Sequence, residues 1–571
     1  MKKRPGSRPS RHVQRSNSVR SSRQRHLQIE KLEQRQLLAK VIWDGGGDGS
    51  SWHDRLNWQG DSTPISGDDA EINAPTSRIT VSQNIDLKSL AANSALLISN
   101  NAVLTLRGIS SVSKEFTLSA GSSFIVTGSG ATFSAIASSF ISGANLTASA
   151  GGVIQLPLAT VYEHVGTSND LQRRILADGS GSRIELNGLK EITGGTQYNS
   201  KIDISAVNSG SILFPNLTTI FDPEVGDLRL RQINLNARGI SSVISFPKLE
   251  SAIDQSSDSV WSVSDGATLN TPMLKYLGGT EISVDSAAIP MPELTTIFDS
   301  TVRLDKNASL TAAKLSVVNG SNLLASGGSV LSLPAVKSYF HASDQNDRHR
   351  TFRAKGANSR IELPNLESIT GGTHTNSRIF VQAEGGGVVD LSKVKQIVDP
   401  VDGDTRYRSI DVSAKDPGSL VRLDELSYFS DESSYDFGWG LYSSLMVQAG
   451  GEVRIPKLTS TKGVNVDVDG TGTLVVGQFQ RFTAGRVSIA GVDRTFSALV
   501  DATDTDFIVA GGQCLVASTR NLALWWPNPE YRRKSQCSAG VRYRWLKHLC
   551  QFRSGSHSPV GYLLQPRFHG Q

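Results

Sequence analysis

The feature that most constrains this chain is a long internal duplication at one fixed offset, the offset that relates Ser182 to Ser359. Residues 182–186 read Ser-Arg-Ile-Glu-Leu and recur without a gap as residues 359–363, and the Ile-Thr-Gly-Gly-Thr of residues 192–196 recurs as residues 369–373. Further identical pairs at this offset are Tyr162 and Tyr339, His164 and His341, Asp222 and Asp399, Pro223 and Pro400, and Gly226 and Gly403. Chance does not align this many positions, so the two copies are predicted to share one fold.

A shorter unit recurs inside each copy, marked by a Leu-Pro-x-Leu phrase such as residues 363–366. The proline of this phrase, or the residue that replaces it, gives one anchor per unit. The anchors are Ser134, Pro157, Asn187, Pro215, Pro247, Pro272, Pro292, Thr311, Pro334, Pro364, Ser392, Asp424 and Pro456. The first intervals of the series repeat in the same order from Thr311 onward. The unit is about 25 residues long on average, which is the period of a solenoid whose units stack on their neighbours.

The local pattern of each unit predicts strands. Apolar residues alternate, as in Ile361 and Leu363, and recur after the proline at Leu366 and Ile369. Proline at a fixed place marks a corner between strands, and glycine pairs such as Gly385-Gly386 supply another corner. The sequence predicts an all-β protein, a parallel β-helix with coils of about 25 residues and two or three short strands per coil.

Charge and composition exclude several classes of protein. Residues 1–40 carry a net charge of +10, residues 513–571 carry +8, and the body between them carries −13. A net positive charge that is confined to the terminal segments does not form the folded basic face of a nucleic-acid-binding protein, so no nucleic-acid partner is predicted. No apolar run approaches the ~18 residues of a membrane-spanning helix, and 3 Cys cannot build a disulfide scaffold.

The N-terminal leader carries a specific motif in Leu32, Glu33, Arg35, Leu37 and Leu38, after a basic stretch. This Leu-Glu-x-Arg-x-Leu-Leu core resembles the leader of exported surface proteins of planctomycete bacteria, with Gln34 where proline is common. The resemblance implies export and an extracellular or cell-surface location. The alternative is a short amphipathic helix on a disordered arm.

A Trp- and Gly-rich module follows the leader, with Trp43, Trp52 and Trp58 around a Gly-rich loop. It resembles the module that begins many bacterial surface proteins of the autotransporter-adhesin type. Three aromatic side chains can cover the open end of a stacked sheet, so we interpret the module as an end cap. A sugar-binding platform is one alternative, and the other is a calcium site at Asp44, Asp48, Asp68 and Asp69. No other cofactor is predicted.

The repeat breaks near its C-terminal end. The residues that precede the anchor in an intact unit have a counterpart at residues 507–512, but the expected Leu-Pro-x-Leu anchor does not follow. All three cysteines and the +8 charge lie after this point. We interpret residues 513–571 as an atypical basic tail outside the array, produced by a frame shift or a spliced-on sequence. The alternative is a C-terminal anchoring or sorting domain.

The strongest candidates for a ligand site are two duplicated loops that combine carboxylates with arginines: Asp222, Asp227, Arg229, Arg231, Asp399, Asp404, Arg406 and Arg408. Parallel β-helix enzymes that act on acidic polysaccharides use such residues for acid–base chemistry or to bind uronate groups. However, an enzyme needs one concentrated site, and these loops are repeated seven coils apart. Asp-Pro and Gly-Asp are also ordinary turn formers.

The sequence thus predicts five segments: a basic leader (1–40), the cap and first coils (41–130), a first solenoid copy (131–307), a second copy with the last coils (308–512), and the tail (513–571). We predict an exported β-solenoid with a structural or adhesive role and no catalytic activity. Its predicted partners are surface glycans or other envelope proteins. The alternative is a β-helix enzyme that acts on an acidic polysaccharide.

Overall fold

The predicted parallel β-helix is confirmed. A computed structural model describes residues 40–342, 345–433, 442–510 and 514–516, so the leader motif and residues 517–571 of the tail lie outside the described residues. A full coil contributes one strand to each of three faces, and the strands of successive coils pair in parallel. In the coil that begins at Thr301 the third face is reduced to a single bridge between Thr296 and Val317. Among the described residues no α-helix occurs, and no helix is long and apolar enough to cross a membrane.

The first face is one continuous ladder in which every strand pairs with its counterpart in the next coil. Its longest strands have seven residues and alternate inward apolar side chains with outward polar ones. The strands are Ile85–Leu87, Val103–Leu106, Ser123–Thr127, Asn145–Ser149, Gln172–Asp178, Lys201–Val207, Gln232–Arg238, Ser259–Ser264, Thr280–Asp285, Thr301–Asp305, Asn322–Ser326, His349–Lys355, Arg378–Glu384, Ser409–Lys415, Ser443–Gln448, Val464–Val468, Arg486–Ala490 and Asp506–Ala510.

The second face consists of shorter strands in three successive ladders. The strands are Lys40–Ile42, Asp69–Ile72, Ser89–Ala92, Ile109–Val112, Thr132–Ala135, Val153–Gln155, Arg183–Glu185, Ser211–Leu213, Val243–Ser245, Thr268–Asn270, Ala288–Pro290, Ser309–Thr311, Val330–Ser332, Arg360–Glu362, Val388–Asp390, Leu420–Arg422, Glu452–Arg454, Thr473–Leu474, Arg494–Phe496 and Cys514–Val516. The last pair corrects the predicted end of the array, because Cys514–Val516 pairs in parallel with Arg494–Phe496 beyond residue 512.

The third face also forms three ladders. The strands are Arg78–Val81, Ala95–Ile98, Phe116–Leu118, Ser139–Phe140, Val161–Glu163, Glu191–Thr193, Thr219–Asp222, Ser251–Asp254, Tyr276–Gly278, Thr296–Phe298, Ser338–Phe340, Ser368–Thr370, Gln396–Asp399, Tyr428–Asp431, Ser460–Lys462 and Arg481–Thr483. The described strands from Asn145 to Asp254 recur at the duplication offset, from Asn322 to Asp431. The two copies of the sequence therefore fold alike.

The three corners of a coil are built from different residues. The first corner, after the first face, uses glycine with positive φ, for example Gly385 at +57° and Gly386 at +90°. The second corner carries the repeated proline, for example Pro364, two residues after the end of the strand Arg360–Glu362. The third corner, between the third and first faces, varies most in length. Both predicted corner types are thus present in the coil.

Buried serines form hydrogen bonds with backbone groups at the first corner. At the first corner Ser182 donates its hydroxyl to the carbonyl of Asp178 (2.6 Å) and accepts the N–H of Gly151 from the preceding coil (3.0 Å). Ser359 accepts the N–H of Gly328 in the same way (3.0 Å). These hydroxyl groups form hydrogen bonds with backbone groups that have no partner in the strand ladders at a corner. A buried turn whose backbone groups stayed unpaired would be less stable.

The N-terminal cap covers the edge of the first coils. Trp43, Trp52 and Trp58 are buried and pack edge to face, with ring centroids 5.1 Å and 4.6 Å apart. The backbone of the cap loop pairs with Thr80, because Trp52 donates its N–H to the carbonyl of Thr80 (3.0 Å). His53 accepts two further backbone N–H groups through Nε2. The three aromatics and these hydrogen bonds give the module the geometry of an end cap.

Candidate functional site

The duplicated loops lie at the third corner, where three long corners stack in each copy. The first ridge consists of residues 164–171, 194–200 and 223–231, and the described part of the second ridge consists of residues 341–342, 345–348, 371–377 and 400–408. The longest units of the array owe their extra length to these corners and to the seven-residue strands of the first face. Seven coils separate the ridges, which corresponds to about 34 Å at the usual spacing of β-strands.

Half of the predicted site residues are inside the coil. Asp222 and Arg231 are 1% and 0% exposed and form an ion pair at 2.9 Å. The Arg231 guanidinium also donates to the carbonyls of Val225 (2.7 Å) and Pro223, and so holds the loop from within. A ligand on the surface does not reach these side chains, and their geometry is that of a buried brace.

The second copy repeats the brace. Arg408 and Asp399 are also buried, with Nε 3.7 Å from the carboxylate oxygen Oδ1. Arg408 donates to the carbonyls of Asp402 (2.6 Å) and Pro400, which are the carbonyls of the corresponding loop. The buried arginine therefore fixes the conformation of each ridge in the same way.

The buried carboxyls are strongly perturbed. Burial, and then the neighbouring carboxylate of Asp254, raise the pKa of Asp222 to about 7, although Arg231 opposes the shift. In the second copy burial and the carboxylate of Asp431 raise the pKa of Asp399 to about 8. In each copy two carboxyls lie beside a single guanidinium, so one of them retains its proton more readily than an exposed carboxyl does.

The repeated Thr-Gly-Gly-Thr sequence is explained by this brace. A Cβ on Gly194 would lie 1.9 Å from Oδ1 of Asp222, and a Cβ on Gly371 would lie 2.3 Å from Oδ1 of Asp399. Glycine leaves room for the carboxylate of the next coil, and a larger residue would displace it. Each glycine pair stands one coil before its aspartate in the sequence, and this spacing was the signal for the buried contact.

Sequence reasoning missed a buried histidine at the start of each ridge. His164 Nε2 lies 2.9 Å from the carbonyl oxygen of Leu171, and His341 Nε2 lies 2.9 Å from that of Arg348. Burial lowers the pKa of both, that of His341 to about 4. The identity of His164 and His341 at the duplication offset was the available signal.

The other half of the predicted site is exposed. Arg229 forms a two-point ion pair with Asp227 (2.9 and 2.6 Å), and Arg406 pairs with Asp404 in the same manner (2.9 and 2.5 Å). These hydrogen bonds lower the pKa of Asp227 to about 2 and that of Asp404 further. Both carboxylates are therefore charged on the outer surface of the ridges.

The calcium candidates in the cap do not form one site. Asp48 accepts the N–H groups of Ser50 and Ser51 (2.8 and 2.7 Å), while Asp69 pairs with Lys88 (2.9 Å). Asp44 accepts the N–H of Gly46, and Asp68 accepts that of Ile65. Within the described ranges no group of three or more acidic, histidine or cysteine side chains is placed to hold a metal ion.

The ridges therefore present two rigid copies of one charged surface feature. Their exposed carboxylates are about 34 Å apart, whereas the paired carboxylates of glycoside hydrolysis are about 5–10 Å apart, so the two copies do not combine into one catalytic centre. No protein-family model, curated protein or solved structure matches this chain.

Proposed function

We propose that this protein is an exported cell-surface β-solenoid with a structural or adhesive role and no catalytic activity. The observation that carries the proposal is the pair of braced ridges. Each presents the same Asp–Arg pair on its outer surface, and a repeated feature at a fixed separation suits repeated weak binding to an extended partner. The leader motif at Leu32 to Leu38 supports the surface location.

Binding through both ridges has a measurable signature. Surface glycans or envelope proteins that bridge the two ridges should bind more tightly than fragments that reach only one, because the second contact is intramolecular. The double variant Arg229→Ala with Arg406→Ala is expected to weaken binding of the full chain to isolated cell envelopes more than either single variant. Equal binding by all four proteins would contradict an adhesive role of the ridges.

Location and catalysis are tested separately. Fractionation of the producing cells should recover the protein outside the cytoplasm, and recovery with cytosolic markers would defeat the export proposal. Incubation with polygalacturonate or alginate should release no new reducing ends. If the wild type releases reducing ends and a carboxylate variant such as Asp227→Asn does not, the result would favour the alternative, a β-helix enzyme that acts on acidic polysaccharides.

A further inference from the structure

A recess lies at the third corner between the two ridges. The four intervening corners are short, at residues 255–258, 279, 299–300 and 318–321, and a Cβ on Gly279 would lie 1.8 Å from the carbonyl oxygen of Asp254. The recess is about four coils, or roughly 20 Å, wide. It contains two adjoining cavities of about 220 and 310 Å³ that share Ser257, Asp299 and Thr301.

The floor of the recess is fixed by hydrogen bonds between coils. Asp299 accepts the hydroxyl of Ser257 (3.0 Å) through one carboxylate oxygen and pairs with Arg350 through the other. Asn322 accepts the N–H of Thr351 (2.9 Å) and donates to Thr301 (3.0 Å). The floor is therefore preorganised, and its central carboxylate is already neutralised by a cation of the protein.

The wall beside the first ridge carries Asp258. One oxygen of its carboxylate accepts the N–H of Leu230 (2.9 Å), and no described residue donates a hydrogen bond to the other oxygen. Burial raises the pKa of this carboxyl, so it is held close to the protein surface and is only partly hydrated. This wall thus offers a free acceptor to the recess.

The wall beside the second ridge carries Asp347, Arg348 and His349. Asp347 accepts the amide of Asn376 (2.9 Å) through one oxygen, and Arg348 donates to Gln345 through Nε and Nη2. In the described part of the chain the second oxygen of Asp347, Nη1 of Arg348 and the ring nitrogens of His349 have no hydrogen-bond partner. This wall thus offers both donors and acceptors.

We propose that the recess binds a stretch of neutral polysaccharide. Free donors and acceptors on the two walls match the hydroxyl groups of a sugar, each of which both donates and accepts. Four carboxylates line the recess (Asp258, Glu281, Asp299 and Asp347), of which Glu281 pairs with Arg303 and Asp299 with Arg350. Asp258 and Asp347 then stand against Arg348 alone, so the recess keeps an excess of negative charge and an acidic polymer is disfavoured. This inference rests on the proposed adhesive function and names its ligand class.

The first copy supplies a matched control for the second. Asp170, Leu171 and Gln172 stand at the positions of Asp347, Arg348 and His349. Asp170 makes the corresponding hydrogen bond with Asn199 (2.7 Å), and the following strands Gln172–Asp178 and His349–Lys355 correspond at the same offset. The double substitution Arg348→Leu with His349→Gln therefore installs side chains that already occupy this backbone in the other copy.

The experiment measures binding of the purified full chain to immobilised neutral polysaccharides (glucan, mannan, galactan and xylan) beside polygalacturonate and alginate. The wild type should bind at least one neutral polymer. Arg348→Leu with His349→Gln, and separately Asp258→Asn, should weaken that binding at least tenfold, while Asp170→Asn should leave it unchanged. Circular dichroism and thermal unfolding confirm that each variant is folded.

Three outcomes would overturn the inference: no neutral polymer binds, only the acidic polymers bind, or the double variant binds as the wild type does. These outcomes are independent of the location of the protein, which cell fractionation decides. A protein that is exported but binds no neutral polysaccharide defeats the inference alone. A cytosolic protein that binds through the recess defeats the export proposal alone.

Discussion

The two copies of the solenoid share their buried tyrosines and arginine braces but differ in what surrounds the exposed Asp–Arg pair of each ridge. The buried Tyr162 donates its hydroxyl to the carbonyl of Ala144 (2.7 Å), and Tyr339 donates to that of Ser321 (3.0 Å). On the outer surface, by contrast, Arg229 lies over the ring of Tyr198 (5.3 Å) in the first ridge. In the second ridge Thr375 takes the place of this tyrosine and donates to Asp404. Packing fixes the interior positions, whereas the surface is free to diverge.

One buried pair shows how an identical residue takes a different partner. Arg173 donates to the carbonyl of Val165 (2.9 Å), but its counterpart Arg350 forms an ion pair with Asp299 two coils away. Asp299 stands two residues before the first-face strand Thr301–Asp305. Gly121 stands two residues before Ser123–Thr127, the first-face strand that lies two coils before Arg173. The second copy has therefore gained a link to the recess that the first copy lacks.

The largest expected effect comes from removing the braces. Arg231→Met and Arg408→Met should each destabilise the local coils by about 3 kcal/mol, because each variant removes the cation of a buried ion pair and the donor of two loop carbonyls. Hydrogen-exchange mass spectrometry of residues 194–231 and 371–408 measures the loss. Equal losses would show that the interiors are equivalent, and a loss in only one copy would contradict this.

A smaller effect is expected from the glycines that face the braces. Gly194→Ala and Gly371→Ala should destabilise their coils by about 1–3 kcal/mol, because the new methyl group overlaps a carboxylate oxygen. Gly194→Ala should be the more severe, since its Cβ would lie closer (1.9 against 2.3 Å). Combining Gly194→Ala with Asp222→Ala should cost less than the sum of the two single changes, as measured in urea unfolding. Strict additivity would mean that the two residues do not touch.

The pH dependence of stability provides a further comparison of the buried carboxyls in the two copies. The folded chain holds the protons of Asp222 and Asp399 more tightly than the unfolded chain, so their contribution to stability falls as the pH rises from about 4 to about 7 and 8 respectively. The lowered pKa values of His164 and His341 have the opposite effect, because their contribution to stability rises with pH up to about pH 6.5. A net fall is therefore expected between pH 6.5 and 8.5.

Asparagine substitutions assign this fall to each copy. Asp222→Asn and Asp399→Asn should each reduce the fall by about 1 kcal/mol, because each removes a carboxyl whose pKa is raised by burial. Thermal unfolding between pH 6.5 and 8.5 measures the effect. A fall of the same size in both variants and the wild type would show that these carboxyls are not its cause.

The smallest effect is expected at the exposed ion pairs on the outer surface of the ridges. Arg229→Ala and Arg406→Ala should leave the thermal midpoint unchanged within error, because exposed ion pairs are screened by solvent and salt. Arg231→Met and Arg408→Met serve as internal comparisons, because the buried arginine of each ridge is two residues from the exposed one. A marked loss of stability in either surface variant would show that its ridge depends on the outer ion pair.

Most of the fold was predictable because the same sequence pattern recurs in successive coils of a solenoid. The spacing of Ile184 and Ile361 gave the duplication, and the proline and glycine positions gave two of the three corners. The uneven intervals between anchor residues already indicated the ridges and the recess, because the units between Pro157 and Pro247 are longer than those between Pro247 and Thr311. They did not show which corner holds extra residues, because insertions at any corner lengthen the unit equally.

The site was predicted only in part, because charge alone does not distinguish a surface pair from a buried brace. Asp222 and Arg231 have the same residue types as Asp227 and Arg229, yet the first pair is buried and the second exposed. The deciding information is the contact with Gly194 one coil earlier, which is a tertiary contact. The recess was missed for a related reason, since its walls come from residues several coils apart in the sequence, Asp258 and Asp347.

The parallel ladders also determine how this molecule responds to force. The hydrogen bonds between coils point along the long axis, so tension applied along that axis loads the coils in series and opens them one at a time. Each coil of about 25 residues that opens releases up to about 80 Å of chain. A protein held at one end and bound to a partner elsewhere would therefore extend in steps under shear, and limit the peak load on its attachment.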